Sequence, residues 1–384
     1  MSRCYLVMYG ELAVKSPRVR REMERTLARN VRRQAGGEVE RLEGRLLVRD
    51  PEEPEALGRV FGVAKWTRVV WVDSYEPEEV FRAIRPCLEG VRAGSFAVRS
   101  RRAWEGAPSS RDMNVELGEL VRRHTGWSVD LDDPDVEVHV ELRREGSFAY
   151  LGSWVREGPG GLPYGSQSPV VCLVSGGIDS PVAAWYAARR GCEVVWLHLD
   201  RGRFGSEVDV VEELAERFSE WIPGEVRLEV EDFEGFMEAL ASLRGEEARY
   251  RCVLCKREML RRACALCERV GGVGVVTGDV IGQVASQVPD NLAVIDRVAR
   301  FPVFRPLAGM DKNEVQRLSE RLGFFEVSRR HASCRLAPRN PVKRARPGKV
   351  LRLEERLGVL QRGLRGSGVA AEERGGDQRA DQAR

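Results

Sequence analysis

Residues 170–184 have the sequence VVCLVSGGIDSPVAA, and this stretch is the most informative about the fold of the chain's second half. Five apolar residues predict a strand, two adjacent glycines predict a tight turn, and Pro181 suits the first turn of a helix, where its missing N–H costs little. Such a turn points backbone N–H groups at an anion, which the helix dipole also favours. Ser175 and Ser180 add hydroxyl groups, and Asp179 adds a carboxylate for a metal ion. The turn therefore predicts a phosphate-binding loop.

The chain around this loop alternates apolar strands with amphipathic helices over residues 170–347, which is typical of a parallel α/β sheet. The loop is not a Walker A loop, because no Gly-Lys-Ser/Thr follows it, and it lacks the GxGxxG spacing of dinucleotide-binding proteins. Helices are predicted at 180–190, 208–221 and 256–269, and another begins at Asp311, where DKNE has the spacing of a capping box. Strands are predicted at 170–174, 193–199, 226–230, 273–277 and 303–307.

The first 160 residues indicate two smaller α+β domains. The first combines short apolar strands with an arginine-rich helix, and the second combines two helices with two strands. The stretch REGPGGLPYGSQSP at 156–169 is dense in Gly, Pro and Ser, and it predicts a linker. We therefore predict domains at 1–75, 76–160 and 165–350, and then at 351–384 a helix to about Arg365 and a disordered tail.

Composition limits the kinds of protein this can be. The 384 residues include 62 Lys plus Arg and 59 Asp plus Glu, so a net charge of +3 excludes a uniformly basic protein and leaves only local basic patches for nucleic acid. The sequence contains no apolar segment of 18 residues and no signal-peptide pattern. We therefore expect a cytoplasmic protein that does not associate with membranes. The arginines near residues 18–33, and those that end one strand, either bind RNA or form a solvated face. The strand-end candidates for RNA binding are Arg99, Arg101 and Arg102.

Nine cysteines on a long chain argue against a secreted disulfide framework and favour metal or sulfur chemistry. Cys252 and Cys255 form a CxxC segment that we place in a loop between basic residues, where we expect lowered thiol pKa values and thiolates. Cys264 and Cys267 fall on the apolar face of the following helix, and we expect them in the core. A zinc ion on the CxxC pair, or a pair without a function, stays an alternative.

Several motifs resemble those of the tRNA 4-thiouridine synthetases, a family of ATP pyrophosphatases with a PP-loop. SGGIDS at 175–180 resembles the PP-loop, TGDVIGQVASQ at 277–287 resembles another family segment, and YRCVLCKREM at 250–259 resembles the segment around the family's reactive cysteine. The first residues, with Gly10-Glu11 and Lys15-Ser16, are similar to the family's ferredoxin-like domain, which a THUMP RNA-binding domain follows. The resemblance implies an α/β PP-loop domain, adenine nucleotide alpha hydrolase-like with a parallel sheet, preceded by α+β ferredoxin-like and THUMP domains.

The resemblance also implies an activity, the ATP-dependent transfer of sulfur to tRNA. The enzyme adenylates the uridine at the eighth position and replaces its carbonyl oxygen to give 4-thiouridine, and the family is also connected with thiamine biosynthesis. ATP and Mg²⁺ are the implied cofactors, and Asp179 is an implied catalytic residue. The implied ATP-binding residues are Leu173, Val174, Ser175, Gly176, Gly177, Asp179, Ser180, His198, Leu199, Lys256, Gly278 and Gln287.

The cysteines receive their roles from the same resemblance. Cys252 and Cys255 are implied catalytic residues, and Cys334 in HASCRLAP resembles a third cysteine of members that lack a rhodanese domain. Only about 37 residues follow Pro347, so we expect no such domain here. In those members the three cysteines ligate an iron–sulfur cluster, and the implied sulfur donor is sulfide or a cysteine desulfurase-type protein. The oligomeric state stays open, with a homodimer as one option.

Two other functions remain as alternatives at this point. Another PP-loop enzyme that adenylates a tRNA or a nucleotide, for amidation or lysidine formation, would not require Cys252 and Cys255. A non-catalytic THUMP protein that only binds RNA would carry a vestigial loop, against which the intact SGGIDS segment argues.

Overall fold

A computed structural model of the chain describes residues 3–358. These residues divide into two compact units, the first made of 3–167, 188–193 and 218–225 and the second of 168–187, 194–217 and 226–358. The predicted extension of the last helix to Arg365 and the predicted disordered tail lie outside the described residues. Within the described range, no helix combines the length and the apolar character that crossing a membrane requires.

The first unit is built on a nine-stranded sheet in the order β2-β3-β1-β4-β8-β7-β5-β6, with β9 paired to β4. Its helices are α1 (Pro17–Ala35), α2 (Pro77–Leu88) and α3 (Ser110–Thr125). Its strands are β1 (Cys4–Met8), β2 (Glu38–Leu42), β3 (Arg45–Arg49), β4 (Lys65–Val72), β5 (Ser95–Arg102), β6 (Ser128–Val129), β7 (Val136–Arg143), β8 (Gly146–Leu151) and β9 (Arg156–Glu157).

Helix α1 shows how the amphipathic pattern sets the packing of this unit. Met23, Leu27 and Val31 recur at helical spacing and are buried in one core with β1 and β3. Val19, which has the same spacing, is 39% exposed because it lies in the first turn. The arginines of the other faces are exposed, apart from the half-buried Arg20, which pairs with Glu24.

The predicted linker at 156–169 contains the division between the two units, after residue 167, but it is not an irregular segment. Residues 162–173 form one continuous strand, β10 (Leu162–Leu173), and the residues before it are tied by hydrogen bonds to the turn ahead of β4. Gly62 N donates to Gly160 O at 2.8 Å, and Gly160 N donates to Val63 O at 2.7 Å. The Gly and Pro residues therefore mark close backbone approaches in a folded segment rather than a flexible connection.

The second unit contains a five-stranded sheet in the order β12-β11-β10-β13-β14, in which β11–β12, β10–β13 and β13–β14 are parallel pairs. The further strands are β11 (Arg190–Asp200), β12 (Arg227–Asp232), β13 (Val275–Val276) and β14 (Val303–Phe304). The helices are α4 (Asp179–Arg189), α5 (Val208–Ser219), α6 (Glu234–Ser242), α7 (Gly245–Ala248), α8 (Arg251–Arg269), α9 (Pro289–Asp296), α10 (Lys312–Leu322), α11 (Phe325–Ser328) and α12 (Pro347–Arg356).

Three local predictions for this unit can be compared with the structure. Cys264 and Cys267 are fully buried in the core of the second unit, as expected. Asp311 caps α10 with the predicted capping box, because its side chain accepts from Glu314 N and the Glu314 side chain accepts from Asp311 N. Helix α8, however, begins five residues before the predicted start at Lys256, so the CxxC segment is helical.

A buried ion pair joins α12 to α8. The Arg257 guanidinium donates to both carboxylate oxygens of Glu354, at 2.7 and 2.9 Å, and Arg261 donates to the same carboxylate at 2.7 Å. Arg257 is 3% exposed and Glu354 is 1% exposed. Loss of Glu354 would therefore leave the buried charge of Arg257 without compensation.

We expect Glu354→Ala to lower the free energy of unfolding of the second unit by about 3–5 kcal/mol, because Arg257 would keep its charge without a buried partner. Urea unfolding measures the effect. The matched control is Glu355→Ala, which removes the same side chain from the exposed neighbouring position. A loss that is no greater than that of the control would contradict the assigned role of the pair.

Candidate nucleotide site and cysteine cluster

The predicted phosphate loop lies between β10 and α4 and is closed by Ser180. The Ser180 hydroxyl accepts a hydrogen bond from Ser175 N at 2.9 Å and donates to Ser175 O at 3.1 Å. Gly278 packs against the start of α4, where an added Cβ would lie 2.8 Å from Ser180 N. Only glycine fits this close approach, so the segment after β13 can lie directly beside the loop.

A cavity of about 200 Å³ opens at this loop, at the carboxyl ends of β10, β13 and β14. Binding sites of open parallel sheets lie at that edge. Most of the predicted ATP-binding residues line the cavity: Leu173, Val174, Ser175, Gly177, Asp179, Ser180, Lys256, Gly278 and Gln287. Gly176, His198 and Leu199 do not line it. The prediction missed further lining residues, namely Met259, Leu260, Thr277, Asp279, Ile295 and Arg305.

Asp279 connects the walls of this cavity. Its carboxylate forms an ion pair with Lys256 of α8 and another, at 3.3 Å, with Arg305 after β14. It also accepts hydrogen bonds from Thr277 Oγ1 at 2.8 Å and Gln287 Nε2 at 3.2 Å. Burial alone would raise the pKa of Asp279, but the charge and hydrogen bond of Lys256, the hydrogen bond from Thr277 and the charge of Arg305 hold that pKa below its ordinary value. The carboxylate is therefore ionised and fixes the position of the Lys256 ammonium group.

Asp179 faces the same cavity without such partners. Within residues 3–358 its Oδ1 atom is buried and makes no hydrogen bond. Burial raises the pKa of Asp179, and the nearby Asp279 carboxylate adds to that rise, while Lys312 opposes it. An oxygen ligand that is buried and unsatisfied fits a Mg²⁺ ion, which takes carboxylate and phosphate oxygens. Lys312, the first residue of α10, is a cation beside this carboxylate that the sequence reasoning did not assign to the site.

His198 supports the loop from outside the cavity. Its Nδ1 atom lies 3.0 Å from Val174 O and donates to it, since a carbonyl only accepts. Burial lowers the pKa of His198, so the ring is neutral. Among the described residues, its Nε2 atom is buried without a hydrogen-bond partner. The histidine therefore fixes the end of the strand that leads into the loop.

The expected environment of Cys252 and Cys255 is wrong in two respects. Both lie in the first turns of α8 rather than in a loop, because Val253 and Leu254 between them are buried in the core. Burial raises the pKa of Cys252, and it raises that of Cys255 to about 12. The charges of Lys256 and Arg251 lower the pKa of Cys252, but the rise caused by burial is larger.

Cys334 lies near the CxxC pair. The charge of its thiolate form raises the pKa values of both Cys252 and Cys255, an effect that requires proximity. All three are free thiols and only partly exposed. Across residues 3–358, however, no three His, Cys, Asp or Glu side chains stand in an arrangement ready to bind a metal. The three thiols therefore lie near one another but are not arranged as metal ligands. The iron–sulfur cluster stays a prediction.

The arginines predicted to bind RNA differ in how much of each guanidinium is available. Arg99 pairs with Glu137 at 3.1 Å and also donates to Leu131 O at 2.6 Å. Arg102 is exposed, but it donates to Trp104 O at 3.2 Å. Arg101 is exposed on the same strand, β5.

Three family models match the chain in sequence order. The ThiI ferredoxin-like domain matches residues 4–66, the THUMP domain residues 77–151, and the model described as thiamine biosynthesis protein (ThiI) residues 165–359. A protein of Methanothermobacter thermautotrophicus named "Probable tRNA sulfurtransferase" is 35% identical over 93% of this chain and 94% of its own length. One of Aeropyrum pernix with the same name is 38% identical over 89% of each chain.

One solved structure, titled as a 4-thiouridine synthetase–RNA complex with bound ATP, is 32% identical and covers 95% of this chain and 98% of that chain at a TM-score of 0.85. The fold and the site define a PP-loop protein of the ATP pyrophosphatase class, in which a domain with a parallel α/β sheet follows ferredoxin-like and THUMP domains in the sequence. The predicted fold class is therefore confirmed. The chain belongs to the tRNA sulfurtransferase family, the family of the 4-thiouridine synthetases.

The raised pKa of Cys255 predicts slow alkylation of this thiol. With a pKa of about 12, its thiolate at pH 8 is roughly a thousandfold rarer than that of an ordinary cysteine. Labelling by iodoacetamide, followed by mass spectrometry of the Cys255 peptide, should therefore still rise about tenfold per pH unit between about pH 8 and 10. The urea-unfolded chain is the control, and its labelling should level off near the ordinary pKa. A plateau near pH 9 in the folded protein would contradict the buried environment.

Proposed function

We propose that the chain is an ATP-dependent tRNA sulfurtransferase that converts the uridine at the eighth position of tRNA to 4-thiouridine. The observation that carries the proposal is the placement of two functions on one helix. Lys256 of α8 lines the cavity at the phosphate loop, and Cys252 and Cys255 of the same helix lie near Cys334. A similar protein was solved with RNA and ATP, which supports the same two ligands here.

The first half of the reaction activates the uracil carbonyl. The uridine O4 atom attacks the α-phosphorus of ATP, the bond to pyrophosphate breaks, and the proton on N3 is released. The backbone N–H groups of the phosphate loop and Lys256 stabilise the charge that develops on the phosphates. Mg²⁺, when bound, neutralises phosphate charge, and Asp179 is the residue that would hold it, since Asp279 is already paired with Lys256 and Arg305.

The second half replaces oxygen by sulfur. A hydrosulfide ion adds to C4, and the C4–O4 bond breaks, so that AMP leaves with the former uracil oxygen. With sulfide as the donor, nothing is oxidised or reduced. With a persulfide on one cysteine, a second thiol must cleave the S–S bond, and a dithiol reductant must then reopen the resulting disulfide. Cys252, Cys255 and Cys334 are the thiols that we assign to this half of the reaction.

The remaining features of the proposal concern substrate and context. We assign tRNA binding to residues 1–160, divided at 75 into ferredoxin-like and THUMP domains, and catalysis to 165–350. A tRNA substrate places the enzyme in the cytoplasm. Sulfide or a cysteine desulfurase-type protein supplies the sulfur. A homodimer remains a prediction that sedimentation of the purified chain would test.

The test of this function is anaerobic incubation of the purified chain with tRNA, ATP, Mg²⁺ and sulfide. We expect 4-thiouridine in the digested tRNA together with AMP. Asp179→Asn should lower the rate by about 10²–10³-fold, because the neutral amide lacks the negative charge that would hold Mg²⁺. Asp209→Asn, an exposed acid at the start of α5, is the matched control. A wild-type preparation that yields no 4-thiouridine rejects the function. Iron and acid-labile sulfide in the same preparation would establish the cluster, and zinc alone would reject it.

Arg101 should contribute to tRNA affinity through phosphate contact, because it is exposed on β5. We expect Arg101→Ala to weaken tRNA binding and to reduce the slope of log Kd against log salt by about one. Fluorescence titration at several salt concentrations measures both quantities. Arg85→Ala, which removes an exposed arginine paired with Glu89 on α2, serves as the comparison. An unchanged slope in Arg101→Ala would remove this residue from the RNA surface.

A further inference from the structure

Residues 331–335, here called the cysteine arm, carry Cys334 and lie against the segment that follows β11. Arg335 N donates to Phe204 O at 3.2 Å, and the Arg201 guanidinium donates to Ala332 O at 3.3 Å. Gly205 has a φ of +118°, and a Cβ added there would lie 3.2 Å from Ser333 O. Hydrogen bonds at Ala332 and Arg335 therefore hold the arm, and its close approach at Ser333 requires glycine at position 205.

Glu207 is the one side chain in this segment whose carboxylate reaches both the arm and the phosphate loop. Its Oε1 atom accepts from Ala332 N at 3.0 Å, and its Oε2 atom accepts from Gly176 N at 3.4 Å. Arg201 pairs with the same Oε2 atom at 2.7 Å. Glu207 is 2% exposed and does not line the nucleotide cavity. Glu207 thus links the cysteine arm to the phosphate loop through hydrogen bonds.

The contact with Gly176 has a consequence for nucleotide binding. A backbone N–H at the turn before a helix is a donor that a phosphate group seeks. In this structure Gly176 N donates to a carboxylate instead. A phosphate that competes for this N–H acts on the residue that also holds Ala332, two positions before Cys334. Phosphate binding at the loop and placement of the cysteine arm therefore share one residue, Glu207.

We propose that Glu207 is a positioning residue that fixes the cysteine arm beside the phosphate loop, so that the Cys334 thiol is placed for sulfur transfer. This inference rests on the proposed sulfur-transfer function and adds a residue to it. Arg201 completes the arrangement, because it neutralises Glu207 and its charge also acts on Cys255.

The first test measures how well the two halves of the reaction stay coupled. AMP and 4-thiouridine are quantified for wild type, Glu207→Gln and Glu213→Gln under the anaerobic conditions given above. When sulfur transfer fails, water attacks C4 of the adenylated uridine instead, AMP leaves, and uridine is regenerated. We therefore expect Glu207→Gln to form AMP within about threefold of wild type but about a hundredfold less 4-thiouridine per AMP, since misplacement of a reacting group by about 1 Å costs that much. Glu213→Gln is the control, because it removes an exposed ion pair with Arg330 beside the arm. An unchanged product ratio in Glu207→Gln overturns the proposal.

The second test does not depend on activity. Dibromobimane, which fluoresces once it bridges two thiols, is added to each protein, and bridged peptides that contain Cys334 and either Cys252 or Cys255 are identified by mass spectrometry. Bridging should be at least about tenfold slower in Glu207→Gln than in wild type and Glu213→Gln. Equal bridging in all three proteins overturns the proposal. If wild type makes no 4-thiouridine the proposed function fails, whereas the bridging comparison still decides the role of Glu207.

Should Glu207→Gln unfold, as judged by circular dichroism, Glu207→Asp replaces it. Aspartate keeps the charge next to Arg201 but is one methylene too short to reach Ala332 N and Gly176 N together. The same loss of coupling and of bridging is then expected. Wild-type values for both measurements in a folded Glu207→Asp protein would overturn the assignment.

Discussion

The nucleotide site depends on one buried carboxylate that holds two cations. Asp279 pairs with Lys256 and Arg305, which are separated by 49 positions in the sequence and meet only because β13 and β14 are parallel neighbours behind α8. A buried carboxylate must be compensated by positive charge, and removal of one partner from its ion pairs would leave a buried ion unpaired. The pairing therefore orders the walls of the cavity before any ligand arrives. Arg305 also pairs with Asp296 at 2.6 Å, so the two cations are balanced by two carboxylates, and the charge of a triphosphate calls for Mg²⁺ in addition to Lys256.

The same burial governs the sulfur half of the site. The thiols of Cys252 and Cys255 have raised pKa values, so at neutral pH they are protonated and poor nucleophiles. Thiols in this state resist oxidation between turnovers. They become thiolates when a metal ion binds them or when a base or substrate removes the proton. Reactivity at this site thus follows from occupancy of the site rather than from the basic residues around it.

Local patterns predicted much of the fold, because they depend on neighbours in sequence. The strand, turn and helix at 170–184 and the bounds of α2 follow from apolar spacing and from the positions of Gly and Pro. Predictions failed where burial or a distant partner decides. Part of a Gly- and Pro-rich stretch lies in β10, and the part before β10 is held by hydrogen bonds between Gly160 and the backbone of Gly62 and Val63. The thiol pKa values were predicted in the wrong direction because counting nearby arginines ignores desolvation, which is the larger effect.

Glu207, which the sequence reasoning missed, has partners that are far away along the chain. Glu207 meets Gly176 and Ala332, and no spacing rule connects these positions. The residues of helix α8, in contrast, are related by a spacing rule, since each residue is rotated by about 100° from the one before it. Lys256 therefore lines the cavity, while Cys252 and Cys255, three positions apart, lie on a neighbouring face of the helix. One rigid helix therefore fixes the distance between the activating cation and two thiols. The third thiol, that of Cys334, lies outside this helix, so other side chains must fix its position. The buried Glu207 carboxylate, which contacts both the cysteine arm and the phosphate loop, can do so.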